Sequence, residues 1–254
     1  MLGTEDAFEI EVKTSFGRAT IFHAIDTHGD TVRVLEVGGT YESATYLDER
    51  YCDLAFEYTE LFNHAFELGR DIRRVLVLGG GGFSWPKHLI AYHPEISVDV
   101  VEIDAGMIRI AREYFGLDEL ERQYHAESEG RLRIFCEDAL GFLLTHDDTY
   151  DLIVNDCFVG MEAPKELADW RATGIYRSHL NAGGVFFANV VAALMGRRSQ
   201  NLRDLVRLLS ARFKHVGVVP LGSDDLKVPD NNLVVASDEP FVLRDGWNIK
   251  WLLD

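Results

Sequence analysis

Residues 75–104 constrain this chain more than any other stretch. Val75-Leu76-Val77-Leu78 is an apolar run that predicts a buried strand. Gly79-Gly80-Gly81-Gly82 follows directly. The pattern then predicts a helix over 84–92, a break at Pro94 and a second strand over 97–101 that delivers Glu102 and Asp104. Strand, glycine turn, helix, strand and acid make one half of a nucleotide-binding βαβ unit. Glycines at the mouth of a parallel sheet allow unusual dihedrals and close backbone approach. Glu102 stands 20 residues after Gly82, where a carboxylate can accept hydrogen bonds from both ribose hydroxyls of an adenosine-type ligand. The usual dinucleotide fingerprint instead starts a helix on the glycines, with its N-terminus facing a pyrophosphate. Phe83, Trp85 and Pro86 crowd the turn here, so the glycines alone select no cofactor.

The same unit recurs downstream. Residues 131–136 predict a third strand that delivers Glu137 and Asp138, followed by a helix over 139–144. Residues 150–154 predict a fourth strand ending in Asn155-Asp156. Acids at successive strand ends mark the edge where open α/β sheets bind ligands, although each aspartate also suits a helix N-cap. Residues 167–180 read as a helix interrupted near Gly174. Asn181-Ala182-Gly183-Gly184 reads as a turn before a fifth strand over 185–191. A helix over 202–213 and late strands over 214–221 and 232–237 suggest an antiparallel edge on a parallel sheet.

Upstream, residues 8–48 alternate apolar and polar side chains between glycine turns, as short antiparallel strands do. Leu54, Tyr58, Leu61, Ala65 and Leu68 then recur at helical spacing, and Gly69 ends that run. The predicted organisation is a small β-domain over residues 1–50 and an α/β domain over 51–254.

Charge and composition narrow the partners. The chain carries 42 acidic against 25 basic residues, a formal charge of −17. That leaves no excess of lysine and arginine to neutralise phosphates, so a nucleic-acid partner is not expected. Three cysteines without ligand spacing fit a reducing compartment. The N-terminus lacks the pattern of a signal peptide, and no apolar run of about 18 residues is present. The expectation is a cytoplasmic protein with no membrane partner. The nine histidines form no ligand motif, so no metal is expected. Cys157 beside Asp156 reads as a structural thiol, since no histidine accompanies it locally.

Residues 76–82, Val101-Glu102-Ile103-Asp104, 135–143 and 150–156, taken together, resemble the polyamine aminopropyltransferases, the spermidine/spermine synthase family. The resemblance covers about residues 32–237. It implies a class I S-adenosylmethionine-dependent methyltransferase fold, a Rossmann-type sheet with an antiparallel edge, preceded by a small N-terminal β-domain. It implies decarboxylated S-adenosylmethionine as co-substrate, a small-molecule amine as acceptor, no metal, and a homodimer. Gly79, Gly80 and Gly81 match the family's turn beside the cofactor. Glu102 matches the acid on its ribose, and Asp138 the acid that contacts the adenine amino group. Asp104 matches an acid near the transferred group, and Asp156 the candidate general base. Tyr58 and Glu60 fall near the family's Tyr-His-Glu segment, which places them at the substrate end. Glu42 stands for a β-domain glutamine that reaches the cofactor.

Two departures stand out. The family's turn reads glycine-glycine-glycine-aspartate-glycine, with Gly82 and Phe83 here in the last two places. Its substrate loop carries a second aspartate three residues after the first, where this chain has Val159. Aminopropyl transfer needs a neutral attacking amine and a carboxylate to take its proton. A methyltransferase using intact S-adenosylmethionine would tolerate loss of the second loop acid, because methyl transfer rests chiefly on placement. A non-catalytic nucleoside-binding or scaffold protein is the third reading.

Overall fold

Glycine turns and β-branched strands begin the chain as an antiparallel meander. The computed structural model describes residues 3–158, 164–222, 225–247, 249 and 252. Strands β1 (Gly3–Thr14), β2 (Gly17–Ile25), β3 (Thr31–Val37) and β4 (Thr40–Tyr46) pair in chain order. Gly38 and Gly39 both have positive φ, +60° and +86°, as a two-residue hairpin turn that follows the strand twist requires. One face of this sheet buries Ala19, Ile21 and Leu35 against Met107, Ile110 and Phe115. The other buries Ala24, Val32, Val34 and Ala44. Between β3 and β4 the register slips: Leu35 pairs with Ser43 but Glu36 pairs with Tyr41, which leaves Glu42 as an extra residue.

The helix expected over 51–68 is shorter. It consists of α1 (Glu57–Glu60) and a tighter 3-10 turn over Leu61–Glu67. Residues 51–56 make tertiary contacts instead. The Tyr51 hydroxyl donates to Gln123 (2.8 Å), and its carbonyl accepts from Thr45 Oγ1 (3.1 Å) and Lys87 Nζ (2.8 Å). Tertiary partners override the helical spacing there.

The second sheet is built from β5 (Arg74–Leu78), β6 (Ser97–Val101), β7 (Leu132–Phe135), β8 (Tyr150–Asn155), β9 (Leu180–Ala192), β10 (His215–Pro220) and β11 (Asp230–Ser237). Its order is β10-β11-β9-β8-β5-β6-β7. Strands β5 to β9 are parallel, and β10 and β11 form the antiparallel edge that the late strands suggest. Helices α2 (Ser84–Tyr92), α3 (Ala105–Tyr114), α4 (Leu117–Tyr124), α5 (Ala139–Thr145), α6 (Trp170–Ser178) and α7 (Gln200–Ser210) accompany it. Alternation on β5 splits the core. Val75 and Val77 pack on one face with Leu89, Leu117 and Leu120, whereas Leu76 and Leu78 pack on the other with Phe142, Tyr176 and Val206. From β5 the chain moves outward to β6 and β7, then returns beside β5 as β8. Ligands of open α/β sheets bind at such a reversal.

Two further expectations change. Gly174 does not interrupt α6. A Cβ there would meet Arg212 Nη2 at 3.3 Å, and this guanidinium lies over the Trp170 ring, so the glycine makes room within an intact helix. Residues 181–184 do not precede the fifth strand but interrupt its ladder: Tyr150 pairs with Leu180, yet Leu152 pairs with Val185.

Lys87 on α2 joins the two sheets. It is buried and donates to Thr45 Oγ1 (3.2 Å) and to the carbonyls of Tyr51 (2.8 Å) and Phe115. Burial pushes its ammonium down to about 8. Among the described residues no helix is long and apolar enough to cross a membrane.

Candidate active site

The carboxyl ends of β5, β6 and β8 open into a cavity of about 430 Å³, within the usual size range for small-molecule sites. Its wall includes the hairpin tip at Thr14 and Phe16, Glu42 and Ser43 of β4, and Tyr58 of α1. The opposite side includes the glycine turn, Glu102, Ile103, Asp138 and Asp156. The N-terminal sheet thus supplies one wall and the strand ends supply the other.

Close approach of β5 and β8 sets the floor. The Asp156 N–H donates to the Leu78 carbonyl at 2.8 Å, and the Gly79 N–H to the Val101 carbonyl at 2.9 Å. A Cβ on Gly79 would lie 2.5 Å from the Asp156 carbonyl oxygen, so only glycine fits. Glu102 clamps the turn to the end of β6. Its Oε2 accepts from the N–H groups of Gly80 (2.8 Å) and Gly81 (3.2 Å), and its Oε1 accepts from Asp104 N–H (2.9 Å). Backbone donors therefore fix the carboxylate where β6 delivers it.

Asp156 accepts from Asn189 Nδ2 of β9 at 2.9 Å. Burial pushes its carboxyl up to about 7, against the opposing pull of that hydrogen bond. The Asn189 Oδ1 is buried with no hydrogen-bond partner among the described residues. Tyr58 donates its hydroxyl to the Glu42 carbonyl at 3.3 Å. Burial first, then Asp156 and Glu42, raise this phenol far above its ordinary range, so it stays protonated. Burial, Asp156 and Glu102 push the Glu42 carboxyl up to about 7.

The remaining sequence candidates fall in three places. Asp138 lines the cavity and caps α5, accepting from Gly141 N–H at 2.7 Å. Asp104 is turned elsewhere. Its Oδ1 caps α3 through Gly106 N–H (2.7 Å) and accepts from Ser15 Oγ (3.1 Å), while its Oδ2 accepts from Ser15 N–H (2.6 Å). It does not line the cavity and instead fixes the β1–β2 hairpin over it. Glu60 lines a different recess, with Arg50, Asp53, Asn63 and His88. In the short α1, Tyr58 turns inward and Glu60 does not. Val159 lies outside the described residues. The Cys157 thiol is pushed well up by burial, with Glu102, Asp156 and Asp138 adding to the effect, which keeps it a poor nucleophile. Among the described residues no group of three or more His, Cys, Asp or Glu is arranged to hold a metal.

The altered glycine turn has a local cause. Gly82 leaves no space for a side chain: a Cβ would meet Ser43 Oγ at 2.6 Å and Ser43 Cβ at 2.7 Å. Ser43 fills that space and accepts the Gly82 N–H at 3.1 Å. Phe83 keeps the left-handed backbone (φ +57°) that suits the family's glycine, and its fully buried ring packs against Gly80. Restoring the family residue with Gly82→Asp is expected to destabilise the fold by about 2 kcal/mol through overpacking. Adding Ser43→Gly should recover more than half of that loss, as contacting sites couple. Chemical denaturation of the two single variants and the double variant measures the coupling, and simple additivity would refute the steric account.

Ser43, Asn189 and the hairpin residues Thr14 and Phe16 carry no local sequence signal. The described lining residues include Glu42, Glu102, Glu137, Asp138 and Asp156, with no lysine, arginine or histidine.

Comparisons with known proteins bear on the family and the fold. The family model described as the spermine/spermidine synthase domain matches residues 55–214. A polyamine aminopropyltransferase from Lachnospira eligens is 35% identical over 118 residues, 46% of this chain and 39% of that protein. The match therefore spans well under half of that relative's length. The crystal structure of a probable spermidine synthase from Corynebacterium glutamicum superposes with a TM-score of 0.77 at 20% identity, covering 93% of this chain and 82% of that one. Human methyltransferase-like protein 13, solved in complex with SAH, superposes with a TM-score of 0.60 at 20% identity, covering 73% and 83%. The strand order and the N-terminal sheet are thus those of a known architecture.

Proposed function

The chain belongs to the spermine/spermidine synthase family, and from that premise we propose that it transfers an aminopropyl group from decarboxylated S-adenosylmethionine to a small amine. The observation that carries this reading is the charge of the cavity. Five carboxylates line it, and no basic side chain does among the described residues. A sulfonium with a terminal ammonium, and an acceptor amine, both match such a lining. The carboxylate of intact S-adenosylmethionine would meet only like charge.

In the proposed reaction Glu102 and Asp138 hold the nucleoside, with Ile103, half-exposed in the cavity wall, offering an apolar face to the base. The acceptor nitrogen attacks the sulfonium-bound carbon of the three-carbon chain. The new N–C bond forms as the C–S bond breaks, and the electron pair returns to sulfur to leave a neutral thioether nucleoside. Asp156 takes the proton from the attacking nitrogen. Its raised carboxyl suits proton transfer near neutral pH. Tyr58 closes the acceptor end, and Asp104 acts only through the hairpin it fixes.

Methyl transfer is the competing reading, favoured by the fold shared with human methyltransferase-like protein 13 and opposed by the anionic lining. A scaffold role is opposed by the carboxyl of Asp156 raised at the floor of an open cavity. The family resemblance also supports a homodimer in the cytoplasm, which sedimentation and fractionation would test. Calorimetry with both donor forms, followed by mass spectrometry over a panel of amines, separates the readings. Tighter binding of the decarboxylated donor by at least about tenfold, with aminopropylated product, is expected. Preference for the intact donor with methylated product would sink the proposal.

A further inference from the structure

Four of the five cavity carboxylates already have partners. Glu102 holds backbone N–H groups, Asp138 caps α5, Glu137 faces His146 at 3.5 Å, and Asp156 accepts from Asn189. The Glu42 side chain has no hydrogen bond or ion pair among the described residues, although its backbone carbonyl holds Tyr58. Regular strands send successive side chains to opposite faces. The bulge at Glu42 breaks that alternation and lets Glu42 and Ser43 both line the cavity. Bulges next to active sites commonly re-aim a side chain in this way.

Ser43 contacts the glycine turn through Gly82 N–H, so its neighbour Glu42 stands beside that turn. The charged groups facing Glu42 are Asp156 and Glu102, and both are anionic when ionised. A partly buried carboxylate among like charges and without a partner is costly. A bound cation offsets that cost.

We propose, on the aminopropyl-transfer reading above, that Glu42 is a specificity-determining residue that pairs with the terminal ammonium of the donor's three-carbon chain. A nucleoside anchored at Glu102 sends its sulfonium arm across the glycine turn, toward the strand that carries Ser43 and Glu42. Asp156 is left for the attacking amine. A donor that keeps its carboxylate brings an anion toward Glu42 and is rejected.

The test is calorimetry on the wild type and Glu42→Gln with three probes: decarboxylated S-adenosylmethionine, intact S-adenosylmethionine, and methylthioadenosine, which has the nucleoside thioether but no ammonium. The variant should bind the decarboxylated donor at least about tenfold more weakly, leave methylthioadenosine within about twofold, and discriminate less against the intact donor. Equal losses for the decarboxylated donor and methylthioadenosine would show that Glu42 merely shapes the wall, and would overturn the proposal. Unchanged donor affinity with a raised acceptor KM would overturn it too, by placing Glu42 on the acceptor. Failure of the underlying reaction reads out separately, as a wild type that binds the decarboxylated donor no better than the intact one.

Discussion

Replacing Asp156 with Asn is expected to lower the rate of transfer by roughly 100- to 10,000-fold, the usual cost of losing a positioned general base. Donor affinity should change little, because the nucleoside contacts assigned to Glu102 and Asp138 remain. Single-turnover rates and calorimetry separate the two quantities. The pH dependence follows from the direction of the shift. Burial raises the Asp156 carboxyl to about 7, so the proton-accepting form is present above that pH and is lost as pH falls through it. The wild-type single-turnover rate should therefore rise through about pH 7. The Asn variant should lose the part of that limb due to Asp156, keeping only what Glu42, whose carboxyl is also pushed up to about 7, contributes through the donor. Stability moves the other way. The folded protein binds the Asp156 proton more tightly than the unfolded chain does, so this residue contributes a destabilisation that grows as pH rises from the unfolded carboxylate range toward 7. The Asn variant should consequently melt at the same temperature as the wild type or higher at neutral pH. Equal turnover would remove the catalytic role, and a lower melting temperature would assign the loss to misfolding.

That opposition between activity and stability bears on how the site was legible in the chain. The strand-end acids announce themselves because each follows an apolar run and precedes a helix, and Glu102, Asp138 and Asp156 all reach the cavity. The same local pattern misplaces Asp104. An aspartate after a strand can face a ligand or cap the next helix, and what decides here is Ser15, 89 positions away. Tyr58 and Glu60 differ only in their angle around a short helix, which spacing fixes only when the helix is long enough to reveal its buried face. The resemblance sets Glu42 toward the cofactor, but that Glu42 and Ser43 both line the cavity depends on one register slip in a hairpin, and nothing in residues 40–46 alone encodes that slip. Asn189 lies in a strand whose pattern is apolar, and it matters only because β9 pairs beside β8. Most strands and helices of the α/β sheet are readable from local periodicity, whereas residues 51–68 and 181–184 are not; the cavity is a product of contacts between distant segments.

Gly79→Ala should be the most damaging single-methyl addition to the described cavity wall. The φ of +93° strains any L side chain, and the added carbon would lie 2.5 Å from the Asp156 carbonyl oxygen and 2.9 Å from its carbonyl carbon. Both contacts are backbone, so no flexible side chain can move aside. Left-handed strain plus overpacking amounts to about 3 kcal/mol, equivalent to a fall in melting temperature of about 6–12 °C for a domain of this size. Relief would require β8 to move away from β5 at the residue that carries the proposed base. A displacement of about 1 Å there is enough to cost roughly 100-fold in rate. Gly29→Ala is the matched control, since Gly29 has a φ of +89° but nothing within 4 Å of an added Cβ. It should lose only about 1 kcal/mol and keep full turnover. If the two variants lost the same stability, backbone strain alone would explain both, and the close approach of Gly79 to Asp156 would have no energetic consequence. A larger loss at Gly79, accompanied by reduced transfer, would tie the tightness of the glycine turn directly to the position of the base.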